Sequence, residues 1–105
     1  MGRATEHGEI WWARADKERP VVIASRSDRL GRRTKVTCAS VTRTIRGIAT
    51  EVALDESDGI RETSVVNCDD LFTIEKSRLV RRVGQLSATR LDQLHRAMRF
   101  ALAIL

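Results

Sequence analysis

Short runs of alternating apolar and polar residues fill most of this chain, separated by clusters of charged residues, Gly, Ser and Asp. Alternation of this kind marks strands with one buried face. The first run is GEIWWARA, residues 8–15, and the polar connection DKERP follows it, closed by the only proline, Pro20. VVIAS, residues 21–25, is apolar without interruption and predicts a strand buried on both faces. SRSDRLGRR reads as a mobile basic loop. KVTCASVT, residues 35–42, is rich in β-branched residues and predicts a third strand. RTIRG makes a basic turn ending at Gly47, and ATEVAL a fourth strand. DESDG is a turn with Gly59 as the positive-φ residue. SVVN and LFTI predict two short strands around an acidic kink at Asp69 and Asp70, and LVRRVGQL the last strand.

The period then changes. Ser87 has the chemistry of an N-cap. After it, Leu91, Leu94, Met98, Ala101 or Leu102, and Leu105 recur at helical spacing on one stripe, which reads as core packing. Arg90, Arg96 and Arg99 fall off the stripe and are expected in water. Phe100 and Ile104 form a second apolar face suited to a dimer contact. Several short strands with one terminal helix predict a mainly β fold, a small antiparallel barrel capped by that helix. The 105 residues fit a single domain spanning 1–105. There is no repeat, linker or low-complexity tract.

Composition narrows the class. Hydrophobic residues are 42% and charged residues 31%, the balance of a folded soluble domain rather than a disordered one. No apolar run approaches the roughly 20 residues of a membrane span, and MGRATEHGEI has no apolar segment of a signal peptide. A cytoplasmic location with no membrane contact is the expectation. Cys38 and Cys68 are far apart and form no CxxC pair, so they read as buried strand thiols without a disulfide or zinc. His7 and His95 stand at no ligand spacing, and nothing in the sequence pairs them. Trp11 and Trp12 point to opposite faces of one strand, so at least one belongs to the core.

Charge suggests a partner. Residues 1–50 hold eleven Lys/Arg against five acids, and the second half eight against nine, within a net charge of +5. A basic half dominated by arginine suits a polyanion, because the guanidinium fork matches phosphate. If the polyanion is RNA, the substrate brings its own nucleophile in the 2′-hydroxyl. A protein then has to align that hydroxyl, move its proton, hold the charge of the phosphorane and protonate the leaving oxygen. No metal or other cofactor is obligatory for that. Asp69 and Asp70 are neighbours on an extended segment and point apart, which is a poor metal cradle. Without a histidine pair, arginine and threonine remain: arginine as a clamp and donor for the developing charge, threonine as an orienting hydroxyl. Arg19 precedes Pro20, which restricts its backbone to extended geometry at the mouth of a strand. Residue chemistry alone does not separate Arg19 from Arg14, or Thr42 from Thr44.

The ordered segments GEIWWA, ERPVVIASR, KVTCASVTRTIRGIATEV, SVVNCDDLFTI and KSRLVRRVGQLS resemble the MazF/PemK toxin family, most closely its actinobacterial branch. The likeness runs from Gly8 to the terminal helix. It implies an SH3-like barrel with a C-terminal helix, assembled as a homodimer. It also implies cleavage of single-stranded RNA at short motifs, independent of metal and of the ribosome, leaving a 2′,3′-cyclic phosphate and a 5′-hydroxyl. A cognate MazE-type antitoxin with an acidic segment is the implied protein partner. By the same resemblance the catalytic arginine falls on Arg19 and the catalytic threonine on Thr42, while Ile48 and Asp70 match positions lining the RNA groove. Arg43 and Arg46 join them on charge and on their place beside Thr42. Three departures bear on specificity: the loop before Arg19 is short, Ser40 stands where close relatives carry proline, and Asp70 stands where some carry an amide.

Two other readings keep the fold and drop the chemistry. Toxins of the same barrel poison DNA gyrase through their extreme C-terminus, typically with a tryptophan; this chain ends AIL and holds its tryptophans at 11 and 12. A non-catalytic nucleic-acid-binding barrel would use aromatic platforms, yet aromatics are only 4% and tyrosine is absent.

Overall fold

A computed structural model describes residues 2–105. Its strands are β1 (Glu9–Arg14), β2 (Glu18–Ile23), β3 (Lys35–Thr42), β4 (Glu51–Leu54), β5 (Ser64–Glu75) and β6 (Leu79–Gln85), followed by helix α1 (Ala88–Leu102). They form one antiparallel sheet in the order β4-β5-β3-β2-β1-β6. The sheet curls into a half-barrel, with α1 packed on β4 and β5. The mainly β fold with a C-terminal helix is the architecture that the alternation pattern predicts.

Curling produces two apolar clusters on the two faces. Ile10, Val22, Ala39, Val41, Leu54 and Val66 meet Leu94 and Ala97 of the helix on one side. Trp11, Ala13, Val21, Ile23, Val36, Cys38 and Leu79 pack on the other. The run Val21–Val22–Ile23 feeds both, as an uninterrupted apolar strand must. Trp11 is core, whereas Trp12 is only half-buried.

Several elements differ from the sequence expectation, each for a visible reason. β2 starts at Glu18, so Arg19 and Pro20 belong to the strand and not to a connection. Pro20 sits near the strand's start, where a missing N–H is tolerated. The two short strands around the acidic kink are one strand, β5. Its register against β3 jumps from Asn67 opposite Ser40 to Leu71 opposite Ala39, and residues 68–70 make a bulge there. The basic loop after β2 is anchored rather than free. Thr5 and Asp28 form a β-bridge, and the Asp28 carboxylate takes N–H groups from Arg32 and Arg33 at 3.1 and 2.9 Å and an ion pair from the buried Lys76.

Gly59 (φ +86°) ends a 3-10 turn at Glu56–Asp58, as the turn signal requires. Ser87 caps α1, its Oγ accepting from the Arg90 N–H at 3.2 Å. The helix ends at Leu102 with Ala103 in the left-handed region. Leu102 and Leu105 are therefore exposed instead of completing the stripe, and Ala97 takes a buried place on it. Arg90 is not solvated: its side chain lies against Asp58 at 3.3 Å and Asp55 at 3.6 Å. Phe100 and Ile104 are exposed in the single chain, as expected of a second face.

Candidate active site

β2 and β3 bring the two central residues together. Their register pairs Val21 with Ser40 and Val22 with Ala39. The ladder ends at the Val21–Ser40 pair, and Arg19 and Thr42 lie two residues beyond it on their respective strands. Both line one open groove of about 940 Å³, whose rim also includes Trp12, Lys17, Glu18, Arg43, Arg61, Glu62 and Arg81.

Arg19 is mostly covered and held by a neighbour. Its side chain is only 20% exposed, and Nη2 donates to the Asp16 carboxylate at 3.1 Å. Its Nε is buried and has no partner. A buried guanidinium N–H left unpaired costs free energy comparable to a lost hydrogen bond. Thr42 complements it. The Thr44 N–H donates to Thr42 Oγ1 at 3.1 Å, which fixes the hydroxyl and leaves its own proton free to donate.

The groove is basic: five cationic side chains face two carboxylates. Both carboxylates are occupied. Glu62 pairs with Arg43. Glu18 accepts from Arg14 Nε at 2.9 Å and from the Trp12 indole at 3.5 Å. The hydrogen bond from Arg14, then that from Trp12, holds the Glu18 carboxyl below its ordinary pKa. It is therefore a weak base. Arg61 and Arg81 come from the half of the chain with no basic excess. Counting charge by halves misses them: β6 lies beside β1 (Trp12 opposite Arg81), and the turn holding Arg61 leads into β5, which pairs with β3 at Thr42 (Thr42 opposite Val65).

The other residues singled out in the sequence are spread more widely. Asp70 lines a separate recess of about 220 Å³ with Ala15, Asp16, Phe72 and Arg19, so Arg19 borders both cavities. Arg43 is on the groove. Arg46 and Ile48 line neither cavity. The Arg46 N–H donates to Glu51 at 3.0 Å, and the Ile48 side chain is exposed.

The histidines, unpaired in sequence, are paired in space. Their rings stack with centroids 5.0 Å apart, and the two Nε2 atoms are 2.8 Å apart. His7 Nδ1 faces the carbonyls of Ala24 and Ser25 at 3.2 Å each, so it must carry the hydrogen. In the neutral pair His7 Nε2 therefore accepts and His95 Nε2 donates. Neither histidine lines the groove. Among the described residues no group of three or more His, Cys, Asp or Glu has the arrangement of a metal site. Among the described residues no helix is long and apolar enough to cross a membrane.

Fold and groove together define a small half-barrel that presents an arginine–threonine pair in a basic cleft. The family described as "PemK-like, MazF-like toxin of type II toxin-antitoxin system" matches residues 6–102. The chain belongs to that family. It is 44% identical over 77 residues to endoribonuclease MazF3 of Mycobacterium tuberculosis, covering 73% of this chain and 75% of that one. Among solved structures it is similar to Mycobacterium tuberculosis toxin MazF-mt6, at TM-score 0.86 and 40% identity over 90% of this chain and 96% of that one. It also resembles an endoribonuclease in complex with its cognate antitoxin from a mycobacterial species, at TM-score 0.86 and 25% identity over 96% and 97% of the two chains.

Proposed function

We propose that this toxin is a metal-independent, ribosome-independent endoribonuclease that cuts single-stranded RNA through its own 2′-hydroxyl, leaving a 2′,3′-cyclic phosphate and a 5′-hydroxyl. The observation that carries the reading is Arg19, mostly covered and held by Asp16, lining one basic groove together with Thr42. A phosphate seated in that groove meets the Arg19 guanidinium, whose planar fork suits a phosphate. As negative charge grows on the phosphorane, the fixed guanidinium holds it more tightly than it holds the ground state, which lowers the barrier. The step forms the O2′–P bond and breaks the P–O5′ bond; in this reading the leaving 5′-oxygen is protonated from the Arg19 side, and the proton released by the 2′-hydroxyl passes to solvent and balances the one taken up. The Thr42 hydroxyl orients the phosphate or the 2′-hydroxyl for in-line attack. Lys17, Arg43, Arg61 and Arg81 draw the backbone into the groove.

The physiological restraint is a MazE-type antitoxin whose acidic segment occupies the same basic groove. The working form is a cytoplasmic homodimer, and cutting RNA stops translation and growth. The family match, the endoribonuclease relatives and the toxin–antitoxin structure among its neighbours support this reading.

The reading is tested by substitution. Arg19→Ala and Thr42→Ala are each expected to lower the cutting rate by about 10²–10³ while circular dichroism stays native. Undiminished cutting by both variants contradicts the assignment. Undiminished toxicity without RNA cutting favours a protein-directed poison of the same fold.

A further inference from the structure

The recess beside the groove has chemistry of its own. Its floor is aliphatic and aromatic, from Ala15 and Phe72, and its polar groups are Asp16, Arg19 and Asp70. At about 220 Å³ it has room for one planar base but not for a stretch of chain. The polar groups differ in what they have left to offer. Asp16 is engaged by Arg19. On the bulge, Asp69 takes the Thr50 hydroxyl at 2.7 Å. Asp70, the next residue, has no hydrogen bond or ion pair among the described residues, although the bulge lifts it out of the ladder and into the recess wall. Of the carboxylates lining either cavity it alone is unspent.

An ionised carboxylate only accepts hydrogen bonds, through two oxygens side by side. Among the four RNA bases, guanine alone carries two adjacent donors on one edge, N1–H and the N2 amino group. Cytosine and adenine offer one donor beside an acceptor, and uracil one donor between two carbonyls. An acceptor-only pair therefore favours guanine and repels uracil, as happens when unstacked bases are read on their Watson–Crick edge. Phe72 supplies an aromatic surface for the base.

We propose that this recess seats one base of the RNA next to the cut, and that Asp70 selects guanine there. The placement next to the cut follows from Arg19, whose side chain borders both recess and groove: a phosphate clamped in the groove leaves its neighbouring base beside Asp70. The inference rests on the RNA-cutting reading above.

The test is cleavage of a single-stranded RNA library of random sequence by the full chain, with the cut ends sequenced. Guanine is expected at one fixed position flanking the cut. Replacing that guanine with inosine, which keeps N1–H and lacks the N2 amino group, is expected to lower kcat/KM about tenfold or more, the loss of one hydrogen bond to a charged acceptor. Asp70→Asn, which exchanges one acceptor for a donor, is expected to move the preference away from guanine, toward cytosine or adenine. The readout is which base is chosen, and the inosine arm does not depend on a variant. Cutting without guanine beside the cut, indifference to inosine, or a variant that keeps the wild-type preference overturns the assignment of Asp70 and leaves the nuclease reading standing. Absence of cutting on every library member overturns the nuclease reading, and this one with it.

Discussion

At the scale of single residues, burial sets what each side chain has left to offer. Arg19 is covered on most sides and held by Asp16, and its buried Nε is unpaired among the described residues. The thiols show the opposite case. Burial pushes Cys38 up to about 12, and burial with the nearby Asp69 charge pushes Cys68 up to about 11. Since the thiolate is the reactive form, both are inert in the folded state. Native protein is expected to resist iodoacetamide at neutral pH and to take up two equivalents once unfolded. Rapid labelling of the native protein, followed by mass spectrometry, contradicts that burial. The reading of both thiols as buried strand residues without a disulfide came from their type and spacing alone, and both are free and covered. Arg19 was different. The Pro20 constraint marked its backbone as extended, but only the resemblance preferred it over Arg14, and its orphan Nε is a fact of packing that no sequence pattern encodes.

At the scale of elements, the strands were legible wherever alternation was clean, and the misreadings cluster where long-range contacts override local signals. VVIAS and KVTCASVT read correctly as strands because their apolar positions answer to the two faces of one sheet. The acidic kink in β5 looked like a break because adjacent carboxylates disfavour a strand, yet β3 pairs on both sides of it and turns it into a bulge. The loop after β2 looked mobile because it is polar; its anchor, Lys76, lies 48 residues beyond Asp28, too far for any local pattern. That anchor has a pH signature. The hydrogen bond from Lys76, then that from the Arg33 backbone, lowers Asp28 from 3.8 to about 2. A carboxyl depressed in the folded state contributes stability above its unfolded pKa and loses it as pH falls toward the folded value. Chemical denaturation is therefore expected to show stability declining from about pH 4 to pH 2. Asp55 and Asp92, also lowered, add to the same slope through Ser57 and Arg96 respectively. Asp28→Asn is expected to flatten the slope without abolishing it. An unchanged slope in that variant contradicts the role given to the Lys76 contact.

At the scale of the whole molecule, strand order turns a dispersed set of charges into one surface. Along the chain the basic excess lies in residues 1–50, which directs attention to Arg43 and Arg46. In space the groove recruits Arg61 and Arg81 from the second half, while the Arg46 side chain lies off it. Sheet topology is the missing information, since β6 returns to β1 and the start of β5 lies beside the end of β3. The histidines follow the same rule: residues 7 and 95 meet because the segment before β1 lies against α1. Their meeting lies away from the groove.

The most direct test of the proposed chemistry is the structure of the cut ends. Purified protein is incubated with single-stranded RNA in excess EDTA, and the fragments are analysed by mass spectrometry. Cutting that EDTA does not diminish is expected, with a 2′,3′-cyclic phosphate on one fragment and a 5′-hydroxyl on the other. Fragments ending in a 3′-hydroxyl, or cutting that returns only when magnesium is restored, would contradict it.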